Sequence, residues 1–84
     1  MTEELAGNMG FIMGNKHRER IIQVLGSKGA MKAERIAKVG RIPEASVRRI
    51  LAELAERGLI CEDADLWSLT GSGLQIEREM KRRA

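Results

Sequence analysis

The stretch RIPEASVRRILAELAERGLI, residues 41–60, sets one long periodic segment between two kinds of punctuation. Pro43 suits the start of a helix, where the N–H it lacks would be unpaired anyway. Val47, Ile50, Leu51 and Leu54 fall at i, i+3, i+4 and i+7, the spacing of one helical face. Gly58 is a C-terminal stop. With the buried direction set near Val47 and Leu54, at about 100° per residue, the opposite side collects Ala45, Arg49, Ala52 and Glu56. Ser46 and Arg48 flank that strip.

Working outward, AMKAERIAKVG predicts a shorter helix over 32–39, with Ile36 and Ala37 facing inward and Met31 in a short strand before it. NKHRERIIQVLGSKG predicts a helix capped by Asn15 and ended by Gly26 or Gly29. Its buried face is Ile21, Ile22, Val24 and Leu25. Downstream, LICEDADLWSLT predicts a hairpin of strands 59–62 and 66–69, turned at Asp63-Ala64-Asp65. Thr70 then caps a last helix. Helix, helix, helix, hairpin, helix is an α+β pattern in a small chain.

The first fourteen residues are ambiguous. Thr2, Glu3 and Glu4 make a weak helix start, while Gly7, Gly10 and Gly14 argue against a long helix. The expected division is therefore an apolar leader, 1–14, and a domain, 15–84.

Composition bounds the function. The 84 residues fit one small core, and Phe11 and Trp67 are the only aromatic residues, so that core is aliphatic. The net charge is +3, unevenly spread: +3 over 15–29, +3 over 30–43, zero over 44–58 and −3 over 59–73. Cys61 is the only cysteine, which suits a reducing compartment. No apolar run approaches a membrane span and no basic signal start is present, so the expectation is a cytoplasmic protein without membrane contact. His17 has no second histidine or cysteine nearby and is expected on the surface rather than on a metal. Cys61 is expected to be a buried or half-buried filler on the first strand. No nucleophile with a base, no paired acids and no phosphate loop are present, so neither an enzyme nor a cofactor or small-molecule site is expected.

At ERIAKVGRIPEASVRRILAELAERGLI the sequence resembles the winged helix-turn-helix family, and most of all its small archaeal and bacterial transcription regulators. Ile36, Ala37, Ile42, Val47, Leu51 and Gly58-Leu59-Ile60 occur in register, FIMGNKHRERIIQVL resembles the first helix, and LWSLTGSG the strand leaving the wing. The resemblance covers about residues 11–76. It implies binding to double-stranded DNA, with 44–57 as recognition helix. Glu44, Ala45, Ser46, Arg48 and Arg49 would face the groove, and Arg41, Lys32 and Arg35 would help. Two features depart from the pattern. Arg41 holds the turn position where the family usually has glycine, so either Arg41 is left-handed, at about 1 kcal/mol, or the helix ends early and Gly40 bends. The wing, Glu62-Asp63-Ala64-Asp65-Leu66, is acidic where family wings are basic.

Two further expectations follow from residues with no evident cover. Leu5, Met9, Phe11, Ile12 and Met13 at one end, and Leu74, Ile76 and Met80 at the other, suggest a homodimer paired through these segments. The acidic wing and neutral third helix leave an alternative, a winged-helix protein-interaction module without DNA binding.

Overall fold

The computed structural model describes residues 3–83; Met1, Thr2 and Ala84, and with them the helix start read at Thr2, lie outside the described residues. The order is α1 (Glu3–Met13), α2 (Lys16–Lys28), α3 (Ala33–Gly40), α4 (Glu44–Glu56), β1 (Ile60–Asp63), β2 (Leu66–Leu69) and α5 (Gly71–Arg83). This is an α+β fold: a helix-turn-helix, α3 and α4, braced by α2, followed by a two-stranded wing and a C-terminal helix. The wing strands pair antiparallel, with Ile60 opposite Leu69 and Asp63 opposite Leu66. Met31 adds a single bridge on the far edge of β2, exchanging bonds of 3.0 and 2.8 Å with Trp67.

Local chemistry explains the boundaries. The Asn15 side chain accepts from the amides of His17 and Arg18 at 2.9 and 3.2 Å, which caps α2. The helix runs on through Gly26 to Lys28, where Gly29 at φ 85° ends it. Both members of the helix-turn-helix end in the same motif. The Ile42 amide reaches Ala37 O and the Leu59 amide reaches Leu54 O, each at 3.0 Å, with a left-handed residue just before the donor. That residue is Gly58 in α4 and Arg41, at φ 56° and ψ 47°, in α3. Gly40 stays helical and buried, so Arg41 takes the bend. At the wing tip Ala64 and Asp65 both have positive φ, the backbone of the two-residue turn that matches strand twist. Thr70 joins two elements: its hydroxyl donates to Gly58 O at 2.6 Å and accepts from the Gly73 amide at 3.1 Å, capping α5. A Cβ at Gly73 would collide with the Leu59 carbonyl oxygen, so only glycine lets α5 begin this close to the wing.

The core is aliphatic. Ile12, Ile21, Ile22, Ile36, Val47, Ile50, Leu51, Leu54, Leu59 and Ile76 are fully buried, while Phe11 and Trp67 are packed against its edge.

The ambiguity of the N-terminal stretch is resolved over its described residues. Residues 3–13 form an 11-residue helix despite Gly7 and Gly10. Leu5, Met9 and Ile12 share one face, and α1 lays that face on α2 and α5. Burying three such side chains contributes several kcal/mol, more than two glycines cost. The same packing corrects the reason given for a dimer. Leu5, Met9, Ile12, Ile76 and Met80 are covered by their own chain. Phe11 is half-buried, with the guanidinium of Arg18 and that of Arg57 each 3.8 Å from its ring centroid. Leu74 and Met13 remain exposed. No helix among the described residues is long and apolar enough to cross a membrane.

Candidate nucleic-acid interface

The outward strip of α4 is as the periodicity predicts. Ala45, Arg49, Ala52 and Glu56 are all exposed, opposite the buried Val47, Ile50, Leu51 and Leu54. The helix therefore presents its N-terminal half, Glu44 to Arg49, to solvent at the open end of the helix-turn-helix.

The two arginines are in different circumstances. Arg48 is held by Glu44, with Nη2 and Nε at 2.9 and 3.0 Å from Oε2, a pair exposed on both sides. It also lines a cleft of about 250 Å³ with Lys32, Glu62, Asp65 and Trp67, so acidic groups of the wing face it. Arg49 is exposed and forms no ion pair among the described residues. Its helical neighbour Glu53 points elsewhere and pairs with Arg18 at 3.4 Å. Of the i,i+4 pairs Glu44–Arg48 and Arg49–Glu53, only the first forms. Ser46 is half-buried and Ala45 exposed beside Arg49.

The supporting cations sit on α3 and its ends. Lys32 precedes α3, Arg35 and Lys38 lie on its exposed face, and Arg41 is exposed at the left-handed turn. Lys32 joins the two halves, since it borders both the Arg48 cleft and a second groove with Arg35. Arg18 and Arg20 are occupied elsewhere, Arg18 with Glu53 and the Phe11 carbonyl, Arg20 with Gly40 O. The wing tip is acidic and exposed at Asp63 and Asp65.

One residue differs from expectation. Cys61 is exposed rather than buried, with Sγ 3.6 Å from Ser68 Oγ, because the hairpin projects and only Ile60 of β1 reaches the core. Leu66, predicted only as a strand residue, is exposed beside α3. Strand alternation gave no means of seeing that the facing element is cationic. His17 is at the surface, and no group of three metal-ligating side chains occurs among the described residues.

No protein-family model matches the chain, and no curated protein matches it. Among solved structures it is similar to NMB1585, a MarR family regulator from Neisseria meningitidis. The TM-score is 0.67 at 22% identity, over 76% of this chain and 50% of that one. The chain thus spans about half the length of that regulator, and what the two share is the winged helix-turn-helix fold.

Proposed function

We propose that this chain binds double-stranded DNA sequence-specifically and acts as a transcription regulator, with the N-terminal half of α4 entering the major groove. The observation that carries this reading is Arg49: an exposed guanidinium without a carboxylate partner, on the outward strip of the second helix of a helix-turn-helix. A guanidinium in that position can take O6 and N7 of a guanine together. Ala45 leaves room for the backbone to approach, Ser46, Arg48 and Glu44 flank the contact, and Lys32, Arg35 and Arg41 meet phosphates. An exposed lone thiol supports a reducing, cytoplasmic setting.

A homodimer fits this role, because two α4 helices about 34 Å apart would meet successive major-groove faces. Exposed Met13 and Leu74 support a contact through α1 and α5. The core residues Leu5, Met9, Ile12, Ile76 and Met80 would back it from beneath, with Phe11 at its margin. One observation favours a second reading, a protein-interaction module: the acidic wing, whose Glu62 and Asp65 face Arg48.

A titration of random duplex DNA at two salt concentrations tests the proposal. Wild-type affinity should fall steeply as salt rises, by counterion release. Arg49→Ala should weaken binding to a selected duplex by about 1–3 kcal/mol. Arg78→Ala, on the exposed side of α5, should leave it unchanged. Equal, negligible effects of both changes, or no salt-dependent binding, would favour the protein module.

A further inference from the structure

The face made by α3 and the wing carries apolar, basic and acidic surface side by side. Between them lies a groove of about 520 Å³, with Ala30, Met31 and Leu66 on its apolar side and Lys32, Arg35 and Lys38, with the single acidic residue Glu34, on its rim. Leu66 is 41% exposed, and the other exposed large apolar side chains among the described residues, Met13 and Leu74, lie on α1 and α5. The three rim cations are exposed and form no ion pair among the described residues, and neither do Asp63 and Asp65 at the wing tip. The groove rim is cationic apart from Glu34 and the exposed wing tip next to Leu66 is anionic, so the wing tip of one copy is complementary in charge to the rim of another.

We propose that this face docks a second copy of this chain about a two-fold axis through Leu66. In such pairing the same patch meets itself, so each contact across the axis occurs twice. Leu66 covers the partner's Leu66 in the groove, and each acidic wing tip lies along the other copy's Arg35 and Lys38. A phosphate backbone would use the cations but leave the exposed Leu66 wet, whereas a second wing covers it. The patch is short, so the contact is weak and salt-sensitive. It does not rest on DNA binding. Lys32 and Arg35 also belong to the duplex contact proposed above, so the two occupancies exclude one another there.

Sedimentation of the full chain, without DNA, at low ionic strength and near ~1 M salt, where the screening length is about 3 Å, reads the contact as a salt-sensitive gain in mass. Two charge reversals make the test specific. One carries Arg35→Glu with Lys38→Glu, the other Asp63→Lys with Asp65→Lys. Each alone sets like charges against like and should weaken the salt-sensitive association by about tenfold or more. An equimolar mixture should restore it, because both halves of the contact are then complementary. Leu66→Ser should weaken it without reversing its salt dependence. A spin label on Cys61, the only cysteine in the sequence and exposed on the wing, gives a second readout. Dipolar broadening should arise in the mixture and in neither variant alone, with circular dichroism confirming that each is folded. The proposal is overturned if the wild-type mass is independent of salt, if either reversal associates like wild type, or if the mixture stays as dissociated as its components.

Discussion

Arg41 sits in a left-handed backbone that β-carbon-bearing residues adopt at a cost of roughly 1–2 kcal/mol. The sequence left two positions open for the bend, Gly40 and Arg41. Packing selects the second. The helix must run to Gly40 for Ile36 and Ile42 both to reach the core, and a Cβ at Gly40 would press on Ile42 Cδ1 at 3.2 Å. Gly40 is therefore small for space, and the strain moves to its neighbour. Replacing Arg41 by glycine should stabilise the fold by about 1 kcal/mol, seen as a rise of about 4–8 °C in melting temperature. Arg41→Ala should give no such rise. An unchanged melt for the glycine variant would mean the turn is not strained.

Among elements, α1 was the least legible and α4 the most. The α4 face follows from local periodicity alone. α1 depends on partners distant in sequence: Asn8 accepts from Arg57 Nη1 at 3.1 Å, and Phe11 lies between Arg18 and Arg57. No local pattern encodes a ring held between guanidiniums from α2 and from the residue that follows α4. Phe11→Ala should lower stability by about 2 kcal/mol, from two cation–π contacts and the covered ring area, measurable as a lower denaturant midpoint. Phe11→Leu should recover part of that loss. The wing poses the opposite problem, since its hairpin was readable but its docking was not. Asp63→Lys with Asp65→Lys should strengthen non-specific duplex affinity and steepen its salt dependence, because new cations near phosphates release more counterions. An unchanged titration would mean that the wing stays away from the duplex.

For the whole molecule, α1 is part of the single core formed by the described residues. A domain of this size has a net stability of about 3–5 kcal/mol. Leu5, Met9 and Ile12 contribute about 1.5–3 kcal/mol each when fully buried. Deleting residues 1–14 should therefore leave a chain without a cooperative thermal transition, whatever its oligomeric state. A sharp melt for the deleted chain would mean that α1 merely rests on the surface. The proposed contact with duplex DNA lies on the N-terminal half of α4. Backbone amide shifts of the isotopically labelled chain, followed by NMR as a random duplex is added at low salt, test it most directly. The largest changes are predicted at Ala45, Ser46, Arg48 and Arg49, with smaller ones at Lys32, Arg35 and Arg41 and none along α5. Shifts confined to α1 and α5, or absent throughout the titration, would contradict it.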